Sequence, residues 1–188
     1  MTSPVWRREW ALSPGRCPCD LDFVDFLRSR RITGKAIFHF GTGVHHVVGR
    51  ANRQTGANDI LAVTASPAEH TAYADLVAED PALALHYQVL LTDVYALSGL
   101  LLPCFDLVTL FHLHEFHGAL QRRYDALDDR SLLELLYGKL TAGGLMLFYR
   151  GSDGYAGAAA TVGELVDSGR LALREDSGSL RVYQRSGS

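Results

Sequence analysis

The sequence AIFHFGTGVHH, residues 36–46, is an apolar run followed by two closely spaced glycines. AIFHF (36–40) predicts a short buried strand, GTG (41–43) a tight turn, and VHHVVGRA (44–51) the helix that follows. Glycines let the backbone turn tightly and let a ligand approach it, while the beginning of a helix presents unpaired N–H groups. We therefore predict that this turn binds a ligand, with packing alone as the alternative explanation of a lone GxG.

Apolar runs and helical patterns alternate along the rest of the chain. Helical periodicity is found over residues 20–31, 127–140 and 158–167, and Ser66-Pro67 predicts that a helix begins at Pro67. Further strands are predicted at DILAV (59–63), YQVLL (87–91), FDLVTLF (105–111), GGLMLFY (143–149), LALRE (171–175) and SLRVYQR (179–185). Strands separated by helices predict a parallel sheet, whereas the last two strands are close enough only for an antiparallel hairpin.

We therefore predict one doubly wound α/β domain over residues 20–188. Its sheet is expected to have seven mostly parallel strands and to end in a C-terminal antiparallel hairpin, turned at Ser177-Gly178. Asp20 is predicted to cap the first helix, since its carboxylate can accept hydrogen bonds from free backbone N–H groups. Residues 1–19 contain three prolines and are predicted to form a separate, irregular N-terminal segment.

Composition and charge exclude several classes of protein. The 188 residues are 47% hydrophobic and 21% charged, which is typical of a folded globular protein rather than a disordered chain. The net charge of -3 gives no reason to expect nucleic acid or an anionic membrane as a partner. No apolar run is long enough to span a bilayer, and the N-terminal residues lack the apolar core of a signal peptide. We therefore predict a cytoplasmic protein.

The order of these motifs resembles that of the class I S-adenosylmethionine-dependent methyltransferases, over residues 20–185. The family's glycine-rich first motif matches IFHFGTGVHH (37–46), and the ends of its second to fifth strands match AVTASP (62–67), LLTDVYAL (90–97), FDLVTLFHLHEF (105–116) and GKLTAGGLMLFY (138–149). The resemblance implies a Rossmann-like methyltransferase fold with S-adenosylmethionine as the cofactor. Because no large insertion separates the strands, a small-molecule substrate is expected.

The resemblance also implies a set of cofactor-binding residues. Asp93 matches the residue that usually faces the adenine amino group, and Thr64 stands where the family has an acidic residue for the ribose hydroxyls. His39 and His45 stand where the family has an acidic residue and a glycine. The cofactor-binding residues implied in this way are His39, Phe40, Gly41, Thr42, Gly43, Thr64, Asp93, Val94 and Phe111.

Six of the eight histidines follow the first and fourth strands, which are neighbours in the family's strand order. Imidazole is a common general base, so the candidate catalytic residues are those that follow the fourth strand: His112, His114 and His117. Imidazoles also bind metal ions, but HLHEFH (112–117) has no recognised metal-binding spacing. We therefore predict a polar pocket lining with no metal site.

The three cysteines are too few for a disulfide framework. Cys17-Pro18-Cys19 is a pattern known from metal and redox sites, but it has no partner pair, and Cys104 is predicted to pack in the core. Trp6 and Trp10 leave two alternatives open for the N-terminal segment, a lid over the mouth of the pocket or packing against the flank of the domain.

Three functions are consistent with the sequence. The leading hypothesis is a methyltransferase that acts on a small molecule. A binding or scaffolding module that has lost catalysis is the first alternative, because His39, His45 and Thr64 depart from the family pattern. A metal-dependent enzyme that uses the histidine cluster is the second alternative. Each hypothesis allows a homo-oligomer or a protein partner.

Overall fold

A seven-stranded sheet forms the centre of the protein, with the strand order β3-β2-β1-β4-β5-β7-β6. The structure is a computed structural model, and it describes residues 8–55, 58–124 and 126–187. The first five strands are parallel, and β7 pairs antiparallel with both β5 and β6. The strands are β1 (Ala36–Phe40), β2 (Asp59–Thr64), β3 (Tyr87–Leu91), β4 (Phe105–Thr109), β5 (Leu140–Tyr149), β6 (Leu171–Ser177) and β7 (Leu180–Arg185).

In the described part of the chain, five α-helices cover the two faces of the sheet. They are α1 (Cys19–Ser29), α2 (Val47–Thr55), α3 (Pro67–Glu79), α4 (Asp129–Lys139) and α5 (Tyr155–Asp167). Neighbouring residues of β1 point to opposite faces, as the period of two in a strand requires. Ile37 belongs to the core under α1, α2 and α3, and Phe38 belongs to the core under α4 and α5. The prediction of a doubly wound, mostly parallel sheet with a C-terminal hairpin is confirmed.

The beginning of α3 was predicted correctly. The side chain of Ser66 accepts a hydrogen bond from the backbone N–H of Glu69, and Pro67 occupies the first turn. Such a cap is worth about 1 kcal/mol because it satisfies an otherwise unpaired donor.

The first helix was predicted with the wrong cap. Helix α1 begins at Cys19, and no side-chain hydrogen bond caps it at Pro18. Asp20 lies inside the first turn, and its carboxylate faces the imidazoles of His39 and His45 at 3.6 and 3.7 Å. Asp20 is therefore a residue of the pocket rather than a helix cap.

Several boundaries differ from the sequence prediction by a few residues. Helix α2 begins at Val47 rather than Val44, because Gly43 and His46 have left-handed backbone conformations that no helix contains. Strand β4 ends at Thr109, two residues before the predicted end. Ser177 pairs with Leu180, so the hairpin turn is residues 178–179 rather than 177–178.

Across the described residues, no helix combines the length and the apolar character needed to cross a membrane. Cys104 is exposed, so the prediction that it packs in the core was wrong. It precedes β4 at the surface, whereas Cys19 is buried.

Candidate active site at the carboxyl ends of the strands

A cavity of about 490 Å³ opens where the parallel strands end. Its wall includes Phe40 at the end of β1, Thr64 at the end of β2, Asp93 after β3 and His112 after β4. Strand order reverses between β1 and β4, and ligands of open α/β sheets bind in the crevice that this reversal creates. The volume lies within the usual range for small-molecule sites, roughly 300–1,000 Å³.

The two glycines of the first turn differ in their surroundings. Gly41 has a φ of +88°, and a Cβ added there would meet no atom within 4 Å, so its backbone is open to the cavity. Gly43 has a φ of +54°, and its Cβ would lie 2.3 Å from Nε2 of His45 and 2.7 Å from the carbonyl oxygen of Trp10. Gly41 therefore leaves room for a ligand, whereas Gly43 allows the protein to pack against itself.

A buried carboxylate stands behind the end of β2. Oγ1 of Thr64 donates to Oε2 of Glu69 at 2.6 Å, and Oγ1 of Thr42 donates to the same oxygen at 3.1 Å. The backbone N–H of Trp10 donates to Oε1 at 3.3 Å. Burial raises the pKa of Glu69, although these hydrogen bonds favour the charged form. Glu69, from the first turn of α3, thus places an acidic group on the cavity wall beside Thr64.

Asp93 is also held in position. Its carboxylate accepts hydrogen bonds from the backbone N–H of Tyr95 at 3.0 Å and from Nε2 of Gln121 at 2.9 Å. Asp93 and Val94 line the cavity on the side of β3. The contact with Gln121 joins residues 28 positions apart, and no local sequence pattern indicated it.

The predicted cofactor-binding residues fall into two groups. Three of them lie behind the cavity wall: His39, Thr42 and Phe111. Nδ1 of His39 lies 2.8 Å from Oγ1 of Thr109, and its ring stacks on Phe23. Burial lowers the pKa of His39 to about 3, so its imidazole is neutral at neutral pH. The residues that line the cavity are Phe40, Gly41, Gly43, Thr64, Asp93 and Val94.

The three candidate catalytic histidines are not brought together. Of these three, His112 lines the cavity. Nε2 of His114 lies 2.8 Å from Oγ1 of Thr161 on α5, and the ring of His117 packs edge-on against Tyr95 at 5.2 Å. A catalytic role for His114 and His117 stays a prediction, since neither is among the described residues that line the cavity.

His112 instead lies beside two cysteines. Its Nε2 atom is 3.7 Å from Sγ of Cys17 and 3.9 Å from Sγ of Cys19, and the two sulfurs are 3.4 Å apart. Nδ1 of His112 lies 3.0 Å from Oε1 of Glu115, which also accepts a hydrogen bond from the hydroxyl of Ser152. All five residues line the same end of the cavity. The thiol cluster, defined here as Cys17, Cys19 and His112, was not predicted.

Contacts within the thiol cluster strongly shift the pKa values of its members. Hydrogen bonds with Cys19 and His112 lower the pKa of Cys17 to about 4, while the contact with Cys17 and burial raise the pKa of Cys19. Burial opposes the charged form of His112, but Cys17 and Glu115 raise its pKa to about 10. Burial raises the pKa of the neighbouring Asp20 to about 7. The sulfur of Cys17 therefore has thiolate character, whereas Cys19 keeps its proton, and both sulfurs lie close to a desolvated carboxyl group.

The N-terminal segment runs along the cavity. The backbone N–H of Val44 donates to the carbonyl oxygen of Trp10 at 2.9 Å, and the ring of Trp10 packs edge-on against Phe116. Further along, the hydroxyl of Tyr149 donates to the carbonyl oxygen of Arg16 at 3.2 Å. Trp6 lies outside the described residues. Residues 10–17 thus form part of the cavity wall, in contact with the first turn at one end and with β5 at the other.

The fold matches that of solved methyltransferases. N-methyltransferase NodS from Bradyrhizobium japonicum WM9, solved with S-adenosyl-L-homocysteine, aligns over 92% of this chain and 90% of its own, with a TM-score of 0.63 and 11% identity. Magnesium protoporphyrin IX methyltransferase (ChlM) from Synechocystis PCC 6803, solved with S-adenosylmethionine, aligns over 90% of this chain and 79% of its own, with a TM-score of 0.61 and 10% identity. The chain has the class I methyltransferase fold.

The same fold also carries a different chemistry. The [4+2]-cyclase SpnF aligns over 92% of this chain and 65% of its own, with a TM-score of 0.58 and 16% identity. No family model matches the sequence, and no curated protein matches it. The fold alone therefore does not determine the chemistry of the cavity.

Proposed function

We propose that this protein is an S-adenosylmethionine-dependent methyltransferase that acts on a small molecule. The observation that carries the proposal is the open backbone at Gly41, flanked on one cavity wall by the carboxylates of Glu69 and Asp93. These groups fit the cofactor's chemistry, because S-adenosylmethionine has ribose hydroxyls and an adenine amino group that need acceptors. A Cβ at position 41 would take up the space that a ligand needs.

Each of these groups would contact a different part of the cofactor. Gly41 would let the ligand approach the backbone of the first turn, and Glu69 would accept hydrogen bonds from the ribose hydroxyls next to Thr64. Asp93 would accept from the adenine amino group, beside the apolar contact of Val94. In this arrangement Glu69 supplies the acidic group that Thr64 lacks.

The cofactor would supply an electrophilic methyl group on a positively charged sulfur. Methyl transfer then depends mainly on holding the acceptor atom in line with that methyl carbon, which is a matter of positioning. His112, Glu115 and Ser152 line the end of the cavity next to β4 and β5 and are the side chains best placed to orient an acceptor. The cavity volume of about 490 Å³ favours a small acceptor.

The proposal is tested by isothermal titration of the purified protein with S-adenosylmethionine and S-adenosylhomocysteine. We expect one site per chain with a dissociation constant of about 1–100 μM. Absence of binding to both ligands, in protein that circular dichroism shows to be folded, would overturn the proposal. Tight binding of the cofactor without methyl transfer to any acceptor would favour the non-catalytic binding module instead.

A further inference from the structure

We infer that Cys17, Cys19 and His112 bind a zinc ion whose fourth coordination position faces the cavity. Cys19 is the first residue of α1 and Cys17 lies two residues before it, whereas His112 comes from the loop after β4, at least 93 residues away in the chain. The fold thus assembles the thiol cluster from two distant segments, and the six-residue histidine run alone does not form it.

The spacing of the three ligand atoms fits a tetrahedral zinc ion. Zn–S bonds of about 2.3 Å and Zn–N bonds of about 2.1 Å place two sulfurs about 3.8 Å apart and a sulfur about 3.6 Å from the nitrogen. The corresponding distances here are 3.4 Å between the sulfurs of Cys17 and Cys19, and 3.7 and 3.9 Å from these sulfurs to Nε2 of His112. Shifts of a few tenths of an ångström would complete the geometry.

The surroundings of His112 provide independent support. A histidine that ligates zinc through one ring nitrogen usually donates the other N–H to a carboxylate, which fixes the orientation of the ring. Nδ1 of His112 lies 3.0 Å from Oε1 of Glu115, and the hydroxyl of Ser152 holds the same oxygen. Nε2 is thereby directed at both sulfurs. Two thiolates and an imidazole form a donor set that suits zinc.

The fourth position is assigned to the cavity because all three ligands line it. A site with three protein ligands and an open position is typical of catalytic rather than structural zinc. Asp20 lies beside the proposed site, and its Oδ1 atom is 3.8 Å from Sγ of Cys19. Its carboxylate already faces His39 and His45, so we assign Asp20 to the surroundings of the site and not to the metal.

The open position also indicates a class of methyl acceptor, an inference that rests on the proposed function. Thiolate sulfur is a zinc ligand, and a thiol that binds zinc is deprotonated and so becomes a nucleophile, which makes a thiol the acceptor class that we assign. The thiol would release its proton to solvent on binding. Its sulfur would then form a bond to the methyl carbon as the carbon–sulfonium bond breaks, leaving S-adenosylhomocysteine as a neutral thioether.

The first test is the metal content of the full chain, purified with a phosphine reductant and then dialysed. We expect one zinc per chain in the wild-type protein and in Cys104→Ser, whose exposed thiol is the matched control. Cys17→Ser, Cys19→Ser and His112→Asn should lose stoichiometric zinc, and Glu115→Gln should bind it about 10–100-fold more weakly. Asp20→Asn should retain zinc, and loss of zinc in that variant would overturn the open fourth position.

Cobalt(II) titration of the chelator-treated wild-type protein tests the ligands without any substitution. We expect one cobalt per chain, with the intense thiolate charge-transfer bands and the strong visible bands of a tetrahedral site. A protein that binds neither metal, or whose thiol count shows Cys17 and Cys19 joined as a disulfide after reduction and purification, would overturn the zinc site.

Addition of 2-mercaptoethanol to the cobalt protein tests the open position. A third thiolate should strengthen the charge-transfer bands, and an unchanged spectrum would overturn the assignment of a thiol acceptor while the metal site stands. None of these measurements uses S-adenosylmethionine. Zinc binding together with failure to bind the cofactor would therefore overturn the proposed function and leave the zinc site intact.

Discussion

Thr64 and Glu69 are joined by a hydrogen bond of 2.6 Å, which places a buried carboxylate directly behind the last residue of β2. The same carboxylate accepts from Thr42 and from the backbone of Trp10. One side chain therefore links the second strand, the first turn and the N-terminal segment. Its substitution should affect cofactor binding and the position of that segment together.

Glu69→Gln tests this role. The amide keeps the shape of the side chain but loses a charged acceptor, and hydrogen bonds to charged groups are worth about 1.5–3 kcal/mol. We expect affinity for S-adenosylhomocysteine to fall by about 10-fold or more, measured by titration calorimetry. Glu79→Gln, an exposed position at the end of the same helix, is the matched control and should bind normally. Equal affinity in both variants would remove Glu69 from the cofactor site.

Gly41→Ala tests the open backbone of the first turn. A Cβ at this position projects into ligand space, so binding of S-adenosylhomocysteine should be lost or weakened at least 10-fold. Gly34→Ala is the control, because Gly34 also has a positive φ of +66° and no atom within 4 Å of the added Cβ. It precedes β1, at the opposite end of the sheet from the cavity.

Both alanine variants should lose about 1–2 kcal/mol of stability through left-handed backbone strain, while only Gly41→Ala should lose ligand. Gly43→Val would be a poor test of ligand approach, because its side chain would collide with His45 and with the carbonyl of Trp10. If Gly41→Ala binds as tightly as Gly34→Ala, the first turn has only a structural role.

Asp93→Asn tests the acceptor next to β3. Asparagine can still cap the short 3₁₀ helix by accepting from the N–H of Tyr95, but its NH2 group would face Nε2 of Gln121, so a stability loss of about 1–3 kcal/mol is expected as well. The loss of charge should lower cofactor affinity by about 10–100-fold. Asp80→Asn is the matched control, because Asp80 caps another 3₁₀ helix by accepting from the N–H of Ala82 and is not part of the cavity wall. A normal affinity in Asp93→Asn would show that the adenine is held elsewhere.

His46 should make stability depend on pH. Its Nε2 atom lies 2.8 Å from the carbonyl oxygen of Glu69 and its Nδ1 atom 2.9 Å from the hydroxyl of Tyr87, which suits a neutral ring. Burial, with smaller contributions from His45, Arg50 and His70, lowers the pKa of His46 to about 4, although the hydrogen bond with the carbonyl oxygen of Glu69 raises it. The unfolded chain, with a pKa of about 6.5, therefore binds the proton more readily than the folded protein.

The contribution of His46 to stability is thus fully present above about pH 6.5 and is lost as the pH falls towards about 4, at up to about 1.4 kcal/mol per pH unit. Urea unfolding of the wild type and of His46→Asn should show a difference that shrinks over this window and is constant above about pH 7. Asparagine tolerates the positive φ of 44° at this position. A difference that does not change with pH would contradict the neutral buried ring.

The fold could be predicted because its signals are local. Short apolar runs, the Ser66-Pro67 helix start and the glycines after β1 each act over a few residues, and the structure contains the elements they predict. The boundaries were less accurate where left-handed residues such as His46 delay a helix.

The site was predicted less completely because its decisive contacts join distant residues. The role of Glu69 in the site could not be predicted, because a glutamate three residues after Ser66 is typical of helix capping. Its side chain instead accepts hydrogen bonds from Thr42 and Thr64. The thiol cluster needs Cys17 and His112 to meet across 95 positions. The CPC pattern at the beginning of a helix is the local sequence signal that indicates this cluster.

The position of β1 in the middle of the sheet affects the entropy of ligand binding. This strand pairs with β2 on one side and β4 on the other, so the turn at its end is anchored in doubly hydrogen-bonded backbone. Amides of residues 37–40 should consequently be among the slowest in the chain to exchange with solvent deuterium. The chain already loses the conformational entropy of this turn when it folds. Ordering the turn should therefore add little to the entropic cost of ligand binding.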